Sequence, residues 1–416
     1  MSAAANSQNS HSNQVHWKAL ISKRMGINFF LGFSSGMPLL LTGSTLQAWM
    51  TDAQVDLTVI GIFSLVGLPY SLKFIWAPAM DWVVPSFLGR RRGWLFCLQL
   101  ALAIAILLLS QSNPAANPVL LALIAVLVTF FSASQDIVAD AYRRESLADR
   151  ELGWGTSLFV NGYRIGMLVA GAFALFLADQ FSWETVYFLM ASLMTVGLIT
   201  TLVADEPKVH EKPPINFKQA VLGPFQEFFS RKSALLFLAF ILFYKLGDSM
   251  ASHMFTPFIL GHGYTKTEYA AVAKTFGLFA TIGGGLIGGA LLLKLGIQRS
   301  LWIFGILQAI STAGFSILST FGHHLGMLTA VVAFENLSSG MGTAAYAAFM
   351  ASLTNKKFTA TQYALLSSLM GVPRVIAAAP TGWLAEQLGW FSFFLMCTII
   401  AIPGLILLVR IQKLAR

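Results

Sequence analysis

The sequence predicts an all-α integral membrane protein whose twelve transmembrane helices form two six-helix bundles related by a parallel pseudo-repeat. Three observations carry that reading. Of the 416 residues, 56% are hydrophobic and 11% charged, with a mean hydropathy of +0.69; a soluble domain carries about 25% charged residues. Apolar runs of about 20 residues, the length that spans a bilayer as a helix, recur along the chain. Landmarks of the first half also return 207 residues later. The same numbers exclude a cytosolic enzyme, a disordered chain, a secreted disulfide scaffold and an ordinary nucleic-acid binder. Cys97 and Cys397 both sit in apolar runs and supply neither a disulfide framework nor a metal set.

Residues 1–24 are polar and rich in Ser, Asn and Gln, without the apolar core and cleavage site of a signal peptide, so they are expected to form a cytoplasmic tail. Spans are expected at about 25–49, 57–80, 93–111, 117–141, 153–177, 184–203, 233–260, 267–293, 300–320, 325–351, 360–384 and 390–410. Lipid tolerates no unpaired backbone, and runs this long exclude barrel strands, so each is read as a helix. The domains are then an N-terminal bundle over 25–203, a linker over 204–232, a C-terminal bundle over 233–411 and a tail over 412–416. In the linker, Pro213 and Pro214 break helix, after which Phe217, Val221, Phe225 and Phe228 recur at helical spacing. A short helix on the cytoplasmic membrane face and an ordinary linker both fit that pattern.

Cationic residues set the orientation. Of 27 Lys and Arg, 21 fall in the tails and loops of one side, while Lys266 alone occupies the opposite loops. The positive-inside rule therefore puts both termini in the cytoplasm. The net charge of +9 is mostly this orientation signal and calls for no nucleic-acid partner. The repeat is equally legible. "LADQFSW" at 177–183 returns as "LAEQLGW" at 384–390, and Gly89 with Arg92 returns as Gly296 with Arg299. An even number of helices per half makes the repeats parallel, with a substrate path expected between them.

Nine charges fall inside the expected spans: Lys73, Arg164, Lys245, Lys274, Arg374, Asp136, Asp140, Asp248 and Glu335. Facing lipid near the bilayer centre, each would cost several kcal/mol, so they must face a polar cavity or one another. Asp136 and Asp140 share one helix face. One of them is a candidate proton carrier, because burial and a neighbouring cation pull a carboxyl's ionisation in opposite directions. The alternative is a structural cluster with Arg143 and Arg144, which suits Asp140 better. Arg164 and Arg374 occupy near-equivalent places in the fifth and eleventh spans, where a guanidinium holds a carboxylate bidentately. They suit an anionic substrate, or else each neutralises a local acid such as Asp136. Lys245 and Asp248, three apart, either pair with each other or serve transport, and Glu335 beside Asn336 is a second candidate proton site. Lys73 and Lys274 are expected to snorkel toward the interfaces. His253, His262, His323 and His324 lack metal-ligand spacing, so neither metal nor cofactor is expected. Gly283, Gly284, Gly285, Gly288 and Gly289 allow close helix approach. Nucleophile elbow, phosphate loop and zinc motif are all missing from the sequence, which points to a transporter rather than an enzyme.

Asp81 followed by "GRRRGW" at 89–94 resembles the signature of the major facilitator superfamily. The resemblance implies that Asp81, Gly89, Arg90, Arg91 and Arg92, with Arg143 nearby, form a cytoplasmic gate. The second half has Lys294 where an acid would complete the motif, so only the first copy is full. "TLQAWM" at 45–50, "SASQDIVADAYR" at 132–143 and "GYRIGMLVAGAFALFLAD" at 162–179 are similar to AmpG-type muropeptide permeases of Gram-negative bacteria. That resemblance implies proton-driven import of N-acetylglucosaminyl-1,6-anhydro-N-acetylmuramyl peptides through the inner membrane, in the service of wall recycling and β-lactamase induction. It puts Gln135, Asp136, Asp140 and Arg164 at the positions of that family's functional residues. Substrate carboxylates would meet Arg164 or Lys245, and sugar faces would meet Trp49, Tyr70 or Tyr163. The partners expected are the glycopeptide, protons and the bilayer, with the chain acting as a monomer. A proton-driven drug or other organic-anion transporter of the same fold and a non-transporting membrane receptor are the rival readings.

Overall fold

The computed structural model describes residues 22–55, 59, 63–208, 217–372 and 380–414. Arg374 lies outside the described residues, as does the side chain of Lys274. In the first half, α1 (Lys23–Leu41) starts at Ser22, whose Oγ accepts the Met25 amide, and α2 (Ser44–Asp52) resumes it after a turn. The second expected span is not one helix. It runs as a 3-10 turn at Phe63–Gly67, α3 (Leu68–Leu72), a second turn at Lys73–Ile75 and α4 (Ala77–Trp82). Pro69 and Pro78 cause the breaks. Each sits in the first turn of its short helix, where a missing N–H costs nothing, whereas mid-helix it would clash with the preceding turn.

The half continues with α5 (Arg90–Ser110), α6 (Pro118–Ser146), α7 (Leu152–Leu168), a π turn at Val169–Phe173, α8 (Ala174–Ala178), α9 (Trp183–Leu193) and α10 (Thr195–Val203). The linker forms α11 (Phe217–Ser230), with Phe228 fully buried. The second half has α12 (Ala234–Tyr244), α13 (Leu246–Gly261), α14 (Lys266–Tyr269), a π turn at Ala270–Phe276, α15 (Gly277–Leu318), α16 (Leu325–Ser352), α17 (Thr359–Val372) and α18 (Thr381–Leu414). Eight helices among the described residues are long and apolar enough to cross a membrane. They do not stand one to one for the expected spans. α15 holds the eighth and ninth, divided at Gly296 (φ 74°, ψ 165°), and α18 turns at Gly389 (φ 72°, ψ 162°) between the eleventh and twelfth. α16 and α17 carry the tenth span and the start of the eleventh.

Gly89 opens α5 with φ 88° and ψ −176°, nearly the conformation of Gly296, its partner 207 residues on. Only glycine adopts that left-handed region without strain, so the repeat is written in the backbone as well as in the letters.

Close packing fixes the helices within each half. Across α1 and α7, a Cβ on Gly36 or Gly162 would lie 2.0 Å from the Tyr163 or Phe29 carbonyl oxygen, so these backbones touch. In the expected glycine patch, Gly284 faces the Leu337 carbonyl of α16 while Gly285 and Gly289 face Asn161 and Ser157 of α7. The patch thus serves both intra-half packing and the seam between halves. That seam joins α7 to α15 and α16, and α4 and α6 to α17. The described chain ends, the Gly89 turn, Arg143, Arg144 and α11 gather at one end of the bundle, the basic face, where Lys23 pairs with Asp205 at 3.0 Å.

Candidate functional site

At the basic face, Asp81, Arg90 and Arg91 of the expected gate form a buried network with Glu145. Asp81 ends α4, and the turn at Gly89 brings the start of α5 against it. Arg91 Nη2 donates to Asp81 at 2.7 Å and to Glu145 at 2.6 Å, Nε donates to Glu145 at 3.0 Å, and Nη1 donates to the Met80 carbonyl at 3.1 Å. Arg90 adds a third cationic contact to Glu145 at 3.1 Å. Arg92 points elsewhere and donates to the Thr201 and Leu202 carbonyls at the end of α10. Glu206 accepts the Arg91 and Arg92 amides at 2.8 and 3.0 Å, supplying the cap that Gly89 lacks.

The same Asp81 reaches across the seam. It accepts the Thr361 amide at 2.9 Å, the Thr361 hydroxyl at 2.8 Å and the Ala360 amide at 3.4 Å. A carboxylate at a helix N-terminus is favoured by orphan amides and by the helix dipole, so α17 is held to the other half by its first turn. Two more ties reach that turn. Arg143 Nη2 donates to the Tyr363 hydroxyl at 2.8 Å, and its guanidinium lies 4.5 Å from the Phe159 ring centre. Gln362 Nε2 donates to Glu227 at 2.5 Å and to the Pro224 carbonyl of α11 at 3.1 Å. Burial alone would raise the Glu227 pKa, but hydrogen bonds from Arg231 and Gln362 outweigh it and hold the carboxyl below the ordinary glutamate range. Arg231 also donates to the Leu353 carbonyl at 2.6 Å. The linker helix is therefore a clasp on α16 and α17.

Inward from the gate, the charges of α6 form a chain. Asp140 pairs with Arg143 at 2.9 Å, the structural partnership that their spacing favoured. One turn deeper, Asp136 is 8% exposed and its Oδ1 has no hydrogen-bond partner among the described residues. Lys73, Asp140 and Ser35 are the charged and polar groups closest in influence on it. Lys73 does not snorkel: it is buried, in the 3-10 turn between the two prolines, and acts on both aspartates. The broken second span lets its backbone turn and its side chain point inward.

A second cluster occupies the other half. Lys245 pairs with Asp248 at 3.0 Å, Ser311 donates to Glu335 at 2.6 Å, and Asp248 acts directly on Glu335. The self-pairing of Lys245 and Asp248 is real, and Glu335 joins them rather than standing apart. At about 1.5 Å per residue, Glu335 lies some 26 Å along α16 from its end at Ser352, and Asp136 some 15 Å along α6 from Ser146. The two clusters thus sit at different depths.

Arg164 stands on the seam, donating to the Thr281 carbonyl of α15 at 3.0 Å, and forms no salt bridge among the described residues. It is not the counter-ion of Asp136. Gln135 is fully buried and donates to Ser34 and Ser35, tying α6 to α1. Tyr70 donates to Ser132 at 2.9 Å on the same face of α6 as Asp136. Tyr163 is half-buried on α7, beside Arg164. Trp49 is buried in packing with Trp183 and Tyr187 at ring distances of 6.1 and 4.9 Å, away from the charged groups. Sequence reasoning missed Glu145, Glu206, Thr361, Gln362 and Tyr363. The acids could have been found as the carboxylates directly after Arg143–Arg144 and just after the sixth span. Thr361, Gln362 and Tyr363 left no signal of their own.

Comparison with known proteins matches residues 27–378 to the Major Facilitator Superfamily. The chain is 48% identical over 387 residues to the anhydromuropeptide permease of Escherichia coli (strain K12), covering 92% of this chain and 79% of that protein. It is 34% identical to a Rickettsia bellii (strain RML369-C) protein named as transporter AmpG 1, covering 94% and 99%. Among solved structures, the major facilitator transporter FucP superposes with a TM-score of 0.68 at 12% identity, covering 94% of this chain and 99% of that one.

Proposed function

Because the chain belongs to the major facilitator superfamily and, within it, to the AmpG-type muropeptide permeases, we propose that it imports anhydromuropeptides from periplasm to cytoplasm with protons. Its cargo is GlcNAc-1,6-anhydroMurNAc and its peptides, moved by alternating access across the bacterial inner membrane. The basic face is then the cytoplasmic one, as the cation count favours, and the chain works as a monomer. The observation that carries the coupling is that Asp136 lies one turn from Asp140 on the same face of α6, and that Asp140 pairs with Arg143, which donates to Tyr363 across the seam.

In this mechanism, a proton reaching Asp136 from the opposite side removes one of the two negative charges beside Lys73. The lysine turns toward Asp140, which loosens its hold on Arg143. Arg143 in turn releases Tyr363, and the basic face opens once the Asp81 contacts follow. Glu335 and Asp248, further from the basic face, take up the proton first. Arg164, on the seam, meets a substrate carboxylate, with Lys245 and Arg374 as further cationic contacts. Substrate binding replaces the Thr281 contact of Arg164 and so favours a rearranged seam. Tyr70 and Tyr163 line the path for the sugar rings, while Gln135 keeps α6 in register with α1.

Competition for uptake tests the cargo. In proteoliposomes loaded with labelled anhydromuropeptide outside, the unlabelled disaccharide joined to its peptide should compete best, the disaccharide alone less well, and the free peptide least. Competition by hydrophobic organic ions, with none by muropeptide, would assign the protein another substrate.

A further inference from the structure

On the basic face, away from the gate and the buried charge clusters, lies a crevice of about 660 Å³ between the two halves. Its rim carries Arg150 and Lys294, both exposed and neither in a salt bridge among the described residues. The crevice's one carboxylate, Asp149, is already countered by Arg144 at 2.8 Å. Ser233 also lines it, at the N-cap of α12, and its side chain caps none of that helix's amides. The Ala234 amide bonds to the Arg231 carbonyl at 3.0 Å, and the rest of the first turn of α12 has no side-chain cap and lies beside two cations. The floor is apolar, built by Phe237, Leu292, Phe349 and Ile411 from α12, α15, α16 and α18.

We propose that this crevice binds a phosphate-bearing anion, with the phosphodiester headgroup of an anionic phospholipid as its occupant. Cations and free amides at the rim meet the phosphate. The apolar floor has no use for inorganic phosphate, and it matches the glycerol and acyl portion of a lipid entering from the adjacent leaflet. Asp149, Arg150 and Gly153 come from one half and the remaining lining from the other. A bound lipid therefore bridges the halves and favours the conformation in which the basic face is closed. The assignment does not depend on which solute the protein carries.

Native mass spectrometry of the purified full chain, with phosphatidylglycerol, phosphatidylcholine or inorganic phosphate added separately, tests the site. Phosphatidylglycerol adducts should persist on the wild type at least about tenfold more strongly than phosphatidylcholine adducts. The R150Q/K294Q double variant should lose that preference, while R150K/K294R keeps it. Phosphatidylglycerol preference unchanged in R150Q/K294Q would overturn the site. Displacement of the lipid by millimolar phosphate, with the same dependence on both cations, would overturn the lipid and assign a soluble phosphate instead.

Discussion

The Asp81 carboxylate of one half accepts the backbone amide of Thr361 in the other at 2.9 Å. This joins the motif acid, through Arg91 and Glu145 on its own side, to the first turn of a helix 280 residues away in sequence. Charge lies on the Asp81 side, and Thr361 contributes an amide and a hydroxyl that any closed state can present again.

Asp81→Asn keeps the shape and removes the charge, leaving Arg91 with Glu145 alone. Breaking a buried pair from one side costs about 3–5 kcal/mol, so uptake should fall at least about tenfold with a lowered unfolding midpoint. Thr361→Val keeps the amide and should cost about 1 kcal/mol. Uptake rates of the two variants, side by side, check the ranking; equal losses would contradict it.

Tyr363→Phe removes the hydroxyl that Arg143 reaches at 2.8 Å but leaves the ring beneath its guanidinium at 5.3 Å. The closed basic face should lose about 1–2 kcal/mol, a shift of about five- to thirtyfold in population. Thiol labelling at a cysteine placed in the seam, read with and without the substitution, should accelerate accordingly.

Neighbouring glycines of α15 give an internal control. A Cβ at Gly284 would fall 2.1 Å from the Leu337 carbonyl oxygen, whereas a Cβ at Gly283 meets nothing within 4 Å. Gly284→Ala should destabilise by about 1–3 kcal/mol, and Gly283→Ala should be neutral or slightly stabilising. Unfolding midpoints in detergent read both.

Glu227 sets a pH dependence of the clasp. Because its folded pKa lies below the ordinary glutamate value of about 4.3, its contribution is present above that value and is lost as pH falls through the depressed one. The wild type should therefore unfold at higher temperature than Glu227→Gln near neutral pH, with the difference closing in acid. A difference that appears only in acid would reverse the assignment.

How much of this was legible in the sequence depended on whether the signal was local. Apolar runs of spanning length and two glycines forced into positive φ are local, and both the helices and the repeat could be read from them. The second span deceived because its apolar letters hid what Pro69 and Pro78 do to helix continuity. That break also turned Lys73 inward, against the expectation of a lysine near an interface. Asp136 and Asp140 stood out because charge is rare in lipid, and Asp81 because it precedes the "GRRRGW" motif. Thr361, Gln362 and Tyr363 are ordinary residues whose role arises only when α17 meets the other half, and no spacing in one chain announces that meeting.

Gradient-driven uptake by Asp136→Asn is the most direct measurement of the coupling. In proteoliposomes with an imposed inward proton gradient, the wild type should accumulate labelled anhydromuropeptide above equilibrium. Asp136→Asn should fail to accumulate it while still exchanging labelled for unlabelled substrate across the membrane. Accumulation by Asp136→Asn at the wild-type rate and level would contradict the account and take the proton away from this carboxyl.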